Sequence, residues 1–233
     1  SSCNFNTGSC TTGGDPTQGL VMHLDFENGF NDVSGNGNSG SCINCPTLTT
    51  SVDGSRAYNF DGVDDSIIIP DSNSLDATQI TLSALAKIDS HKLQKILEKK
   101  YSAYDFGSGP NVGWQAGSRI NAANQEINWG SGQPVLNQWY LITYTYDGSN
   151  MKIYINGVEV NIFPAVGSIN ANGINARIGS NDQGSDNFFD GTIDDVRIYN
   201  RALSTSEISE IYSYSVTPTC TPNWQCSSWS SCS

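Results

Sequence analysis

The stretch GTIDDVRIYNRALSTSEI, residues 191–208, decides how the chain is read. Its first half has the composition of a strand, in which side chains two apart share a face. Val196 and Ile198 call for burial, yet two adjacent aspartates precede them. Alternation puts Asp194 on the face of Val196 and Ile198, and Asp195 on the face of Arg197. Asp195 is therefore expected to form a surface ion pair with Arg197, worth roughly 0–1 kcal/mol. Asp194 is expected to point inward, where a carboxylate needs a partner. The second half changes period. Ser204 reads as a helix N-cap, and Glu207, three residues on, completes a capping box. Leu203 and Ile208 take the hydrophobic-staple positions, and Ile208, Ile211 and Tyr212 form one apolar stripe. A last strand is thus predicted to run directly into a short helix.

Upstream, short apolar runs alternate with Gly, Asn, Asp and Ser clusters from Leu20 to about Asn200. QWYLITYTYDGSNMKIYINGVEV (138–160) is the clearest hairpin, with turns at Asp147–Asn150 and Asn156–Gly157. In it Met151, Ile153 and Ile155 face one way, Lys152 and Tyr154 the other. ITLSALAKI gives Ile80, Leu82, Ala84, Ala86 and Ile88 a common parity. KLQKILEKKY suits a helix by composition but is read as a strand, because everything around it is β. About a dozen strands at hairpin spacing predict an all-β fold, a two-sheet antiparallel jelly-roll sandwich with one short C-terminal helix.

The 233 residues suit one such domain, and ten Tyr, eight Phe and five Trp supply a packed core. A net charge of −12 repels phosphate backbones and anionic membranes, which excludes nucleic acid as a partner. No apolar run reaches the ~20 residues of a membrane span, and no leader is visible, so the chain reads as mature or excised. The seven cysteines, Cys3, Cys10, Cys42, Cys45, Cys220, Cys226 and Cys232, crowd toward the two ends. CINC (42–45) lacks a second pair at zinc spacing, and the two histidines are remote. Structural disulfides and an oxidising, extracellular or cell-surface location are expected. The odd count leaves one thiol for self-association or covalent linkage to another chain.

Three segments carry a resemblance: FDGVDDSIIIPDSNSLD (60–76), QWYLITYTYDGSNMKIYINGVEV (138–160) and FDGTIDDVRIYNRALSTSEISEIY (189–212). They resemble the laminin-G-like, concanavalin A-like jelly roll, in that family's order, and DFENGFNDVSGNGNSG (25–40) is similar to its opening strand and loop. The resemblance spans about 20–213. It divides the chain into an irregular arm (1–19), a jelly-roll domain (20–215) and a Cys/Trp-rich tail (216–233). NWQCSSWSSCS in the tail resembles the start of a thrombospondin type-1 repeat but stops before the arginines that such repeats stack on their tryptophans.

Candidate sites follow. Calcium takes six to eight oxygens, many of them backbone carbonyls and Asn or Asp side chains. The resemblance implies a structural calcium held by the last-strand aspartate, here Asp194, with oxygens from the segment Asp25 to Gly40. The expected set is Asp194, Asp25, Asp32, Asn38 and Gly40, although Asp32 also reads as a turn-forming residue. Asp61, Asp64, Asp65 and Asp71 read as turns and solvated edges. The loop GSNDQGSDNFFDG (179–191) offers Asn181, Asp182 and Asp186 to a ligand. Trp114 and Trp129, in the middle strands, are candidate sugar-stacking rings as well as candidate core. Glycosidases on this fold place two carboxylates on alternate residues of one strand. No strand here does so, and Glu126 has no carboxylate two residues away. No nucleophile elbow, metalloprotease histidine pair or phosphate loop is present. The expected function is a non-catalytic recognition module that binds glycan or protein and is stabilised by calcium. The alternative is a structural subunit of a surface fibre, linked through its cysteine-bearing ends.

Overall fold

The computed structural model describes residues 3–4, 16–99, 103–130, 132–170, 173–181, 183–216 and 225–226. Cys10, Asp182, Cys220, Cys232 and nearly all of the thrombospondin-like tail lie outside these residues. In chain order the first strands are β1 (Cys3–Asn4), β2 (Leu20–Leu24), β3 (Ser41–Cys42), β4 (Thr47–Thr50), β5 (Arg56–Asp61) and β6 (Ile67–Ile69). Then come β7 (Ile80–Ile88), β8 (Gln94–Lys99), β9 (Tyr104–Gly109), β10 (Gly113–Ile120), β11 (Ala123–Asn128) and β12 (Tyr140–Tyr146). β13 (Asn150–Ile155), β14 (Val158–Pro164), β15 (Ala176–Ile178), β16 (Asp190–Tyr199), helix α1 (Thr205–Ser215) and β17 (Gln225–Cys226) complete the set.

Two antiparallel sheets form the sandwich. One runs β11-β10-β9-β8-β15-β6-β3; the other runs β14-β13-β12-β7-β16-β5-β4, with β2 also paired to β16. The segment with helical composition is strand β8, as its surroundings required. The period-two pattern places Ile80, Leu82, Ala84, Ala86 and Ile88 in the core between the sheets, with Met151, Ile153 and Ile155. Their alternates face outward and make a second cluster, Leu85, Leu141, Tyr154 and Tyr199, which α1 covers with Ile208 and Ile211. Burying these apolar surfaces is what makes each strand hold its register.

The alternation fails at the two aspartates. β16 pairs with β7 as Asp194 to Leu85 and Arg197 to Ser83, so Asp195 and Val196 together oppose Ala84. This is a β-bulge, and Asp195 takes φ +53° to make it. It corrects the expected parity. Ile193, not Asp194, shares the core with Val196 and Ile198. Asp194 pairs with Leu85, whose side chain belongs to the outer cluster under the helix. The expected Asp195–Arg197 pair does form, but it is buried rather than superficial. Arg197 is fully buried, its Nη1 donates to Asp195, and the Ser215 hydroxyl at the helix end donates to the same oxygen. His23 Nε2 lies 2.7 Å from the other oxygen. Burial alone would raise the Asp195 carboxyl, but the Arg197 charge and these bonds hold it well below the usual carboxylate range.

Helix α1 begins as its sequence dictates. Ser204 accepts from the Glu207 amide and the Glu207 carboxylate accepts from the Ser204 amide. Leu203 and Ile208 are both buried in the outer cluster. Glu207 also receives Arg201 Nη1 at 3.0 Å, and this bond, chiefly, lowers its carboxyl to about 2. A carboxyl lowered on folding contributes stability above its ordinary value of 4.5 and loses it as pH falls toward 2. In thermal melts, Glu207→Gln is expected to lower Tm at pH 7, and the gap from wild type is expected to close between pH 4.5 and 2. Ser204→Ala is expected to cost about 1 kcal/mol at neutral pH.

Candidate functional site

The outer face of the seven-stranded sheet carries a groove of about 370 Å3. It lies over β8, β9, β10 and β11, and alternation explains its polarity. Tyr104, Phe106, Trp114, Ala116 and Ile127 turn inward to the core. The residues between them turn outward, and Lys95, Glu98, Asp105, Gln115, Arg119 and Glu126 line the groove. Register aligns these across the strands. Arg177, Glu98, Asp105, Gly117 and Glu126 are successive cross-strand partners from β15 to β11. Lys95, Gly107, Gln115 and Asn128 form the neighbouring row.

Two buried glycines let the strands pack closely beneath it: a Cβ on Gly107 would come within 2.1 Å of the Gln94 carbonyl, and one on Gly117 within 2.8 Å of the Gln125 carbonyl. Gly117 lines the groove among charged and amide side chains. Lys95 Nζ sits 2.8 Å from Asp105 and 3.5 Å from Glu98, which is almost wholly buried. Burial opposes the Lys95 charge, but Asp105, then Glu98 and Glu126, outweigh it and raise its pKa. The groove thus alternates acceptors (Glu98, Asp105, Glu126), donors (Lys95, Arg119) and amides that do both (Gln115, Asn124, Gln125). Its aromatic residue, Tyr104, is buried and donates its hydroxyl to the Leu75 carbonyl.

The sequence-derived ligand residues fall around this groove rather than in it. Trp114 is fully buried and packs edge-on to Tyr140 at 5.8 Å, so it is core. Trp129 is half-buried and packs on the same ring at 6.0 Å. Neither ring lines the groove, which is walled by the residues of opposite parity on the same strands. Asn181 is buried and holds its own loop together, its side chain accepting from the Ser185 amide. Asp186 is exposed and accepts from the Asn187 amide. That loop still reaches the groove, because Asn187 lines it and its carbonyl accepts from the Lys95 amide at 2.9 Å. Lys95, Glu98 and Asp105 escaped the sequence reading, as did the neighbours of Glu126, because the row from Glu98 to Glu126 is assembled across strands and Lys95 joins Glu98 through a register shift.

The expected calcium residues separate into two places. Asp32 accepts from the His23, Ser34 and Asn38 amides and from the Ser34 hydroxyl, so it organises its loop. The Asn38 amide donates to the Val21 carbonyl and to Ser74, and its oxygen accepts from Ser72. Gly40 packs against Ile67 and Ile69. Asp25 follows Leu24, the cross-strand partner of Val196, and accepts from the Glu27 amide. Asp194 lies elsewhere on the bulge, near Ser51 and Asp53 of the β4–β5 turn. Burial first, and the Asp195 charge second, raise its carboxyl to about 8. The buried Ser51 hydroxyl lies beside it and partly offsets that rise. Ser51 and Asp53 are thus the oxygen-bearing neighbours of Asp194, and Asp25, Asp32, Asn38 and Gly40 are engaged in their own loop. Separately, the Asp61, Asp64 and Asp65 carboxylates lie within 4.8 Å of one another. Asp71 is not with them, because it pairs with the buried Lys99. Cys42 and Cys45 form a disulfide on the edge strand β3.

The Concanavalin A-like lectin/glucanases superfamily matches residues 61–209. No curated protein gives a significant match. Among solved structures, domain 4 of AbnA, a GH43 extracellular arabinanase from Geobacillus stearothermophilus, in complex with arabinotriose, is similar at 22% identity and TM-score 0.67. The alignment covers 83% of this chain and 98% of that one. The binding domain of Paraclostridial Mosquitocidal Protein 1 is similar at 16% identity and TM-score 0.69, covering 83% of this chain and 52% of that one. A structure of botulinum neurotoxin type C, whose cell entry depends on two ganglioside molecules, aligns at 16% identity and TM-score 0.63, covering 84% and 51%. The chain thus spans about half the length of the toxin chains it matches.

Lys95 is the residue on which the groove wall depends. Lys95→Met is expected to destabilise the fold by roughly 3 kcal/mol, since it removes the ammonium that bonds the Asp105 carboxylate and lies beside Glu98. Chemical denaturation of the Lys95→Met, Asp105→Asn and double variants measures this. The double variant is expected to recover part of the loss.

Proposed function

The chain belongs to the Concanavalin A-like lectin/glucanases superfamily, and from that premise we propose that it is a non-catalytic, extracellular module binding glycan in the groove of the seven-stranded sheet. One observation carries this reading. The groove sets acceptors, donors and amides side by side around Gly117, where no side chain intrudes. Such a lining matches the many hydroxyls of an oligosaccharide, each of which both donates and accepts. The volume is within the range of small-ligand sites. Glycan-binding is further supported by the arabinotriose held by one structural neighbour and the gangliosides required by another. The Cys42–Cys45 disulfide supports an oxidising compartment.

Catalysis is not part of this reading. Asp105 and Glu126 stand on strands two apart, either side of Gly117. Lys95 bonds Asp105 and keeps it in service as an ion-pair partner. Glu126 is exposed on the edge strand β11, and Gly117 separates it from Asp105.

A glycan array followed by calorimetry on its best hit tests the proposal. Glu126→Gln and Arg119→Ala are expected to weaken binding at least about tenfold, near 1.4 kcal/mol, with an unchanged melt. Undiminished binding by both variants would move the site elsewhere, and an array without hits would remove the glycan reading.

A calcium ion belongs to the same proposal, held by Asp194 with Ser51 and Asp53. When bound it would supply positive charge against two adjacent buried carboxylates. Chelation is then expected to lower Tm, and Asp194→Ala to abolish that sensitivity. At a hundredfold excess over Kd the ion would contribute about 2.7 kcal/mol. A melt unmoved by chelator overturns it.

A further inference from the structure

The groove has an electrical sign, and it is set around Gly117. Asp105 stands on one side of that glycine and Glu126 on the other, as its cross-strand partners. Asp105 Oδ2 accepts from Lys95 Nζ at 2.8 Å, while its Oδ1 lies beside the glycine. A Cβ built on Gly117 would lie 3.6 Å from that Oδ1 and 3.3 Å from Glu126 Cγ. A ligand group seated here meets two acidic side chains at once. We propose that the groove takes only glycans without an acidic group, neutral or amine-bearing, and that Asp105 and Glu126 set this preference. The inference rests on the glycan-binding reading above.

The cations of the lining do not cancel these carboxylates. Lys99 has a fully buried side chain that lies 3.1 Å from Asp76 and also pairs with Asp71, so two carboxylates answer one ammonium. Lys95 is likewise shared between Asp105 and Glu98. Its titration reports the sign of the local field. Burial opposes the ammonium, yet Asp105, then Glu98 and Glu126, raise its pKa above the ordinary lysine value. Burial first, and then the Asp76 and Asp71 charges, raise the Tyr104 hydroxyl of the same lining. Arg119 is the remaining lining cation among the described residues. It stands two residues along β10 from Gly117, roughly 7 Å away, opposite Asn124. Arg177 stands beyond Glu98, three strands and roughly 14 Å from Gly117. That exceeds the Debye length of about 8 Å at physiological salt.

The chemistry of the two outcomes differs at one atom. A sugar hydroxyl or amine over Gly117 donates to the carboxylates on either side. A uronic or other acidic sugar brings a carboxylate to the same place. That group can only accept, and like charges about 4 Å apart repel even through water.

An array of neutral, aminated and acidic oligosaccharides, followed by calorimetry, tests this. The calorimetry uses the best non-acidic hit, the same oligosaccharide with its primary hydroxyls oxidised to carboxylates, and the methyl ester of that acid, which keeps its shape without its charge. The acid is expected to bind at least about tenfold more weakly than its ester. Raising salt from about 0.01 M to 1 M, which shortens the Debye length from about 30 Å to 3 Å, is expected to narrow that gap. In Glu126→Gln the gap is expected to narrow at least about threefold, whatever the variant loses in affinity for the neutral sugar. An acidic best hit, or an acid bound as tightly as its ester, overturns the preference and leaves the glycan-binding reading standing. A gap that survives both salt and Glu126→Gln overturns the assignment to these carboxylates. An array without hits removes both readings.

Discussion

The bulge at Asp194 and Asp195 is the constraint on which the rest of the sandwich rests. β16 pairs with β7 along one edge throughout. Along its other edge the partner changes, from β5 at Asp190–Ile193 to β2 at Val196–Tyr199. The two aspartates stand at the junction, where neither partner strand supplies a ladder. A backbone amide left there needs another acceptor, and the Asp194 carboxylate supplies one, taking the Asp195 N–H at 2.7 Å. The Asp195 carboxylate, turned by its left-handed backbone, gathers Arg197, His23 from β2 and Ser215 from the helix. One short segment therefore joins three strands and fixes where the helix ends. A buried ion pair of this kind adds little net stability against an apolar substitute. Its value is that no other register of β2, β16 and α1 satisfies all the groups at once.

The architecture was legible in the sequence for the same reason that its sites were not. Alternation over β7 and β13 gave the core face residue by residue, and the capping box at Ser204 and Glu207 gave the helix start. Both are local patterns, decided within four residues of chain. The bulge is local too, but period-two reading assumes its absence, so it misplaced Asp194 by one face. The left-handed Asp195 has no strong sequence signature, because Asp tolerates that conformation without requiring it. Trp114 was left open between core and sugar-stacking ring. A large ring in a middle strand suits either face, and only its pairing against Tyr140 decides for the core.

The groove was invisible for a different reason. Glu98, Asp105, Gly117 and Glu126 make one row, yet they are separated along the chain by 7, 12 and 9 residues. Searching each strand for carboxylates at alternate positions could not find them, since every strand contributes only one. Bulges shape this sheet as well. The register of β8 against β9 shifts between Lys95 and Leu97. That shift puts Lys95 and Glu98, three residues apart, on the same face, where an unbroken strand would have opposed them. The Lys95–Glu98–Asp105 contact thus depends on an irregularity, as the Asp195–Arg197 contact does.

The two polar assemblies lie on the outer faces of opposite sheets and are built to different ends. Around Asp195 the polar atoms are turned on one another, beneath a helix, with Arg197 wholly buried. On the groove side Gln115, Arg119 and Glu126, from adjacent cross-strand rows, line the open space around Gly117. Side chains there can change without disturbing the core, because their alternates carry the packing. The floor has less freedom, since a Cβ at Gly117 would come within 2.8 Å of the Gln125 carbonyl. A surface of this design keeps its depth while its chemistry varies, and depth is what a recognition site on a sheet otherwise lacks.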